Sequence, residues 1–147
     1  MLARVLLSLA FLWPLVLASG WWTRAGSTTR GGWDTVVYAA GAQVCHQRPD
    51  RSFQTADTPW PVCGRCSGLY LAAPVGAVLG WSRRLRPRGS ARAWLAAAAL
   101  PTAVTLGLEW WGLPLANVAR ALAALPLGAA VAAILVRTAA GDPGSIK

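Results

Sequence analysis

The sequence predicts an all-α integral membrane protein, a bundle of about four transmembrane helices that forms a single domain over residues 1–147. Three observations predict this class. Hydrophobic residues make up 55% of the chain, and charged residues make up 13%, about half of the share in soluble domains. The apolar residues are concentrated in four segments that contain almost no charge. This composition excludes a disordered chain, a soluble enzyme and a conventional coiled coil.

The predicted helices follow these segments in order. The first covers residues 5–22, which as a helix would span roughly 27 Å, close to the thickness of the hydrocarbon layer. The others cover residues 67–81, 93–112 and 120–136, and interfacial side chains must complete their shorter apolar runs. Tryptophans suit that position, and they lie near the segment ends at Trp21, Trp22, Trp81, Trp94, Trp110 and Trp111.

Small residues within the segments predict where helices pack closely. Gly76-x-x-x-Gly80, the run Ala96 to Ala99 and Gly128-Ala129-Ala130 each offer a small surface for a neighbouring helix. Ahead of these segments, residues 33–44 carry apolar side chains at helical spacing, which predicts a short amphipathic helix.

The N-terminal segment has two interpretations. Residues 1–18 fit a cleaved signal peptide, with Arg4 as its basic end and Val16-Leu17-Ala18 as a cleavage site. A retained helix is favoured, because the apolar run continues past that site through Trp22. Both interpretations place the following loop outside the membrane.

The charge balance bears on partners and on topology. The chain has 14 basic and 5 acidic residues, for a net charge of +9. No nucleic-acid-binding motif accompanies this charge, so the expected partner is the lipid bilayer. Five arginines lie between the second and third helices, namely Arg83, Arg84, Arg86, Arg88 and Arg92. They predict that this link is cytoplasmic. Both termini are then cytoplasmic and residues 45–66 extracytoplasmic, in a plasma or inner membrane.

The three cysteines and the single histidine lie within residues 45–66. Cys63 and Cys66 have the C-x-x-C spacing with which two thiolates bind one metal ion from a tight turn. Cys45 and His46 would complete a Cys3His set, which is typical of zinc. Adjacent side chains diverge, so Cys45 and His46 can share an ion only at an irregular helix end. The predicted metal is zinc or iron.

Two alternatives stay open. Cys63 and Cys66 would form a disulfide or a redox pair in an oxidising compartment, which predicts a membrane thiol–disulfide or electron-transfer protein. A non-catalytic accessory subunit that binds another membrane protein is the second alternative. The residues do not decide whether the protein is an enzyme.

Further polar residues are predicted to support this site: Gln47, Arg48, Arg51, Arg65, Glu109, Asn117 and Arg120. Glu109 follows Arg92 by 17 residues, roughly 25 Å of helix, which places it at the outer surface with the cysteines. An ion pair of Glu109 with Arg120 or Arg65 is favoured over a catalytic carboxylate. Asn117 is predicted to cap the fourth helix.

Two blocks of the sequence resemble the signature of an uncharacterised prokaryotic membrane-protein family, domain of unknown function 2085. Its pattern CHQ-x-P-x-RSF matches residues 45–53, and C-x-RC-[TS]-G-[IL]-Y matches residues 63–70. Asn117, Arg120 and Gly128 match a third block in part. The family commonly has an acidic residue near Thr105 or Leu106, where this chain has Glu109 nearby instead. The resemblance covers roughly residues 33–136 and implies a multi-pass membrane protein without an established activity.

Overall fold

The computed structural model describes residues 1–26, 31–82 and 90–141, and most of these residues are helical. The elements in chain order are α1 (Leu2–Ala25), α2 (Trp33–Ala42), a short 3-10 turn (Pro49–Arg51), β1 (Ser52–Thr55), β2 (Thr58–Cys63), α3 (Gly64–Trp81), α4 (Ala91–Trp110) and α5 (Asn117–Ala139).

Three of the helices, α1, α4 and α5, are long and apolar enough to cross a membrane. They contain 24, 20 and 23 residues, and helices of this size reach about 30–36 Å. The helix α3 has 18 residues and carries Arg65 in its first turn, and it is not among the three. Length and composition therefore agree with a mostly helical, multi-pass membrane protein.

The expectation of a purely α-helical chain is wrong for the segment between the cysteine motifs. β1 and β2 form an antiparallel hairpin in which Ser52 pairs with Cys63 and Thr55 pairs with Thr58. Pro59 and Pro61 indicate a loop, but a two-stranded sheet has only edge strands, and edge strands tolerate proline. The turn places Ala56 and Asp57 at φ of 50° and 58°, and positive φ at both central residues is typical of the type I′ hairpin turn.

The helix boundaries differ from the predicted ones by a few residues. α1 and α5 extend beyond residues 5–22 and 120–136 at both ends, and α3 begins at Gly64 instead of residue 67. The predicted segments follow uncharged runs, whereas backbone hydrogen bonding continues through arginines such as Arg24 and Arg137 in the last helical turns.

The helices α3 and α5 lie in direct backbone contact. A Cβ atom added at Gly76 or Gly80 would overlap with the carbonyl oxygens of Ala129 or Ala133, and one at Gly128 would overlap with that of Leu69. These contacts confirm the close packing expected at Gly76, Gly80 and Gly128. The run at Ala96–Ala99 is less enclosed, because α4 contains no buried residue, and a close helix contact there stays a prediction.

Two buried clusters lie near the two ends of the bundle. Ala3, Ala77 and Val136 form the first, and Leu17, Val37, Cys45 and Val62 form the second, beside the hairpin. The second end also receives the start of α3, the end of α4 and the start of α5, which ion pairs join there. Of the five arginines predicted to set the orientation, Arg83, Arg84, Arg86 and Arg88 lie outside the described residues.

Candidate metal centre

The three cysteine sulfurs meet at the hairpin end of the bundle. Cys45 follows α2, Cys63 is the last residue of β2, and Cys66 lies in the first turn of α3. Their Sγ atoms all lie within 4.8 Å of one another. The backbone N–H of Cys63 donates a hydrogen bond to Sγ of Cys45 over 3.2 Å. All three side chains are free thiols, and Cys45 is buried.

Gln47 holds the first cysteine motif against the hairpin. Its Nε2 donates to the carbonyl oxygens of Tyr38, in α2, and Pro61, in β2, each over 2.7 Å. Gly41 permits this close approach, because a Cβ there would lie 2.7 Å from the Pro61 oxygen. The chain turns at Gln47 with φ of 47°. One amide side chain therefore joins α2 to β2 and brings Cys45 next to Cys63.

His46 occupies a different place from the three sulfurs. Its side chain is exposed, and among the described residues the group of nearby ligand atoms consists of the three cysteines without it. It does line the same cavity as the cysteines. Neighbouring side chains point apart, so burial of Cys45 turns His46 outward. Its role as a ligand stays a prediction.

The arrangement of the sulfurs fits a tetrahedral thiolate site. With a zinc–sulfur bond of about 2.3 Å, the sulfurs of such a site lie about 3.8 Å apart. Sulfurs within 4.8 Å of one another need to approach by about 1 Å at most to reach this geometry. Three thiolates would occupy three positions and leave a fourth for another ligand.

The position of Cys63 favours its thiolate form. Cys63 is the N-cap residue of α3, where helix N–H groups stabilise negative charge. The pKa of the Cys63 thiol is lowered because the Cys66 thiol donates to its sulfur, and the backbone amides of Cys66 and Arg65 lower it further, against the opposing effect of burial. A thiolate is the form that binds metal or attacks a disulfide.

Glu109 is surrounded by arginines directly beside this site. Its carboxylate, 7% exposed, pairs with Arg65 over 3.1 Å and with Arg120, and Arg51 lies 3.9 Å away. Both ion pairs favoured from the sequence are therefore confirmed. Arg65 also donates to Oγ1 of Thr105 over 3.4 Å. The arginines come from α3, α5 and the 3-10 turn, so a single carboxylate at the end of α4 ties four elements together.

Asn117 does not cap α5, and that prediction is wrong. The N-cap residue is Ala116, without a side-chain hydrogen bond, and Asn117 is the first helical residue. Its Nδ2 donates to the carbonyl oxygen of Ser52 over 2.8 Å, and its Oδ1 accepts from Arg120 over 2.6 Å. The side chain joins the hairpin to the Glu109 cluster because the start of α5 lies against Gly64 at the start of α3.

Two residues outside the predicted set also position the site. Ser52 is 2% exposed; its hydroxyl donates to the Arg48 carbonyl oxygen over 3.0 Å. Tyr38 donates its hydroxyl to the carbonyl oxygen of Pro59 and accepts from Gln47. Ser52 lies inside the first cysteine motif, which was a usable signal, whereas nothing in the local sequence marks Tyr38.

The cysteines, His46 and several arginines line one cavity of about 370 Å³. Arg48 and Arg51 lie at its rim, with side chains that are 61% and 41% exposed and that pair with Asp50 over 3.3 Å and 3.8 Å. Arg65 and Arg120 lie deeper, at 14% and 10% exposed. The site therefore combines three thiols with a cationic entrance.

Fold and site together define a mostly helical membrane protein with a cysteine cluster at one end of its helices. The family described as "Predicted membrane protein (DUF2085)" matches residues 45–134, more than half of the chain. The chain therefore belongs to the family domain of unknown function 2085. The matched region begins at Cys45 and contains all three cysteines, Glu109 and Arg120.

Two relatives share short segments with the chain. An uncharacterised protein of Methanothermobacter thermautotrophicus is 47% identical over 30 residues, 20% of this chain and 27% of the relative. An uncharacterised protein of Methanocaldococcus jannaschii is 40% identical over 43 residues, 29% of this chain and 28% of the relative. The chain thus spans little more than a quarter of the length of these relatives. No solved structure matches the chain.

Proposed function

We propose that this membrane protein binds one transition-metal ion, zinc or iron, through Cys45, Cys63 and Cys66. The observation that supports this function is the meeting of three sulfurs, from three different elements, within 4.8 Å. Thiolates are the ligands that zinc and iron–sulfur sites share. The metal would mainly organise the residues outside the helices, since it would join the end of α2 to β2 and to the start of α3.

The fourth position in this site has two candidate ligands. His46 was expected there from the sequence, and it can reach the ion only if its exposed side chain turns into the cavity that it lines. A small external ligand entering the same cavity is the other candidate. A zinc site with three protein ligands and one open position is the arrangement of catalytic rather than structural zinc.

The metal content of purified protein tests the proposal. We expect about one zinc or iron ion per chain in detergent-purified protein, because three thiolates fix the ion. Cys63→Ser should lose most of this metal, whereas His46→Gln should keep it, since His46 lies outside the sulfur group. Elemental analysis of the three samples measures the difference. Metal-free wild-type protein with a native fold would contradict the proposal.

Thiol–disulfide exchange is the second candidate, and the C-x-x-C pair at the start of α3 favours it. The Cys63 thiolate would attack a disulfide of a partner protein, which releases one partner thiol and forms a mixed disulfide. Cys66 would then attack Sγ of Cys63 in this mixed disulfide and release the second partner thiol. The products are a Cys63–Cys66 disulfide and two thiols on the partner. Alkylation of the thiols before and after reduction separates the candidates, because thiols that do not respond to redox potential rule out exchange.

We also propose that α3 is a fourth membrane span, with both termini in the cytoplasm and the cysteine site outside, in a plasma or inner membrane. α3 lies along α5 from Gly64 to Gly80, roughly 24 Å of helix. Trp22, Trp110 and Trp111 are strongly exposed at the site end, as an interfacial belt requires.

Reporter fusions test this topology. Green fluorescent protein fused after Lys147 should fluoresce, as it does in the cytoplasm, and alkaline phosphatase inserted at Gly112 should be active, as it is outside the membrane. The reverse pattern would contradict this topology.

A membrane-protein partner, the role of an accessory subunit, has one supporting observation. α4 has no buried residue, and its Leu100 and Val104 side chains are 61% and 58% exposed. Lipid covers such a face equally well, so isolation in mild detergent without any stable partner would count against this role.

A further inference from the structure

The cavity beside the three thiols is surrounded by positive charge. Arg48, Arg51, Arg65 and Arg120 line it together with His46, and no carboxylate is among its lining residues in the part of the chain that the structure describes. The volume of about 370 Å³ lies in the range of small-molecule sites. Guanidinium groups around a cavity of this size attract an anionic ligand.

The charges near the cavity do not cancel. Of the acidic groups, Glu109 pairs with Arg51, Arg65 and Arg120, and Asp50 pairs with Arg48 and Arg51. Four guanidinium groups therefore face two carboxylates. Three thiolates around a divalent ion carry one net negative charge. One positive charge remains, which matches an anionic ligand.

Arg65 also has hydrogen-bonding capacity that its known partners leave unused. One terminal nitrogen, Nη2, interacts with Glu109 and Thr105. Its Nε is buried and has no hydrogen-bond partner among the described residues. A buried donor without a partner costs free energy. The guanidinium fork is suited to the paired oxygens of a carboxylate or phosphate.

We propose that this cavity binds a small oxyanion, with a carboxylate or phosphate group, between the two rim arginines, Arg48 and Arg51, and the two deeper ones, Arg65 and Arg120. An oxygen of the same group would take the metal position that the three thiolates leave open. That last contact rests on the proposed metal function, whereas the arginine contacts do not depend on it. The inference thus names the ligand class of the cysteine site.

Binding of inorganic phosphate tests the proposal. The protein in nanodiscs of phosphatidylcholine should bind radiolabelled phosphate saturably, at about one ion per chain. The double variant Arg48→Gln/Arg51→Gln should bind it about tenfold more weakly, because two exposed guanidinium contacts at about 0.7 kcal/mol each together give the 1.4 kcal/mol that corresponds to this factor. Neither side chain contacts a cysteine sulfur in the hydrogen bonds and ion pairs of the described residues, and both are exposed at the rim.

A control variant separates local binding from the general effect of charge. Arg4→Gln/Arg92→Gln removes the same charge from exposed arginines at the starts of α1 and α4, the opposite end of the bundle. It should leave phosphate binding unchanged. The proposal is overturned if the wild type shows no saturable binding, or if both double variants weaken it equally.

Two further measurements identify the source of the ligand and the cause of a failure. Nanodiscs that contain phosphatidylglycerol should compete with free phosphate if a lipid headgroup enters the cavity, and should have no effect if the ligand is soluble. Both results support an oxyanion site. Elemental analysis of the same wild-type samples shows whether metal is present: bound metal without phosphate binding refutes only this inference, whereas phosphate binding without metal refutes only the proposed metal function.

Discussion

Replacing Glu109 with glutamine is expected to destabilise the fold by about 3–5 kcal/mol, the usual cost of removing one partner from a buried ion pair. The Glu109 carboxylate is 7% exposed and neutralises Arg65 and Arg120, which are 14% and 10% exposed. Without it, two guanidinium groups stay buried and unneutralised. Unfolding in detergent, followed by tryptophan fluorescence, measures the loss.

Asp50→Asn is the matched control for this change. It removes the same charge from a carboxylate that also contacts Arg51, but the Asp50 side chain is 60% exposed. Ion pairs in solvent contribute about 0–1 kcal/mol, so we expect a loss within this range. Similar losses of stability in Glu109→Gln and Asp50→Asn would show that burial does not determine how much these ion pairs stabilise the fold.

Gly76→Ala is expected to lower the free energy of unfolding by about 1–3 kcal/mol or more, as overpacking does in a rigid interface. The added Cβ would overlap with the carbonyl oxygen of Ala129 in α5. A backbone atom cannot rotate away as a side chain can, so α3 and α5 must separate. The midpoint of thermal unfolding in detergent measures the effect.

Gly107→Ala provides the comparison, because Gly107 also lies inside a helix but an added Cβ there meets no atom within 4 Å. Alanine has a higher helix propensity than glycine by about 1 kcal/mol. This variant should therefore be as stable as the wild type or slightly more stable. Equal destabilisation of both variants would contradict the close packing of α3 on α5.

The candidate site was partly visible in the sequence. The cysteines and His46 form a compact group along the chain, and the length of helix between Arg92 and Glu109 places Glu109 at the same end of the bundle. The hairpin was not visible, because Pro59 and Pro61 are typical of loops and their tolerance in β2 depends on the absence of a third strand. The position of Asn117 suggests helix capping, whereas its side chain donates to the carbonyl oxygen of Ser52, which lies 65 residues away along the chain.

Membrane class, the apolar helices and the cysteine and histidine side chains that are candidate metal ligands are already contained in the amino-acid sequence, since hydropathy and ligand chemistry belong to individual residues and their neighbours. Which of those side chains meet in the folded protein is not contained in the sequence in any local pattern. Gln47 turns Cys45 toward Cys63 while His46 faces outward, and three arginines from separate elements converge on Glu109. Such meetings depend on the direction of each side chain after distant segments have packed, and no local pattern specifies that direction.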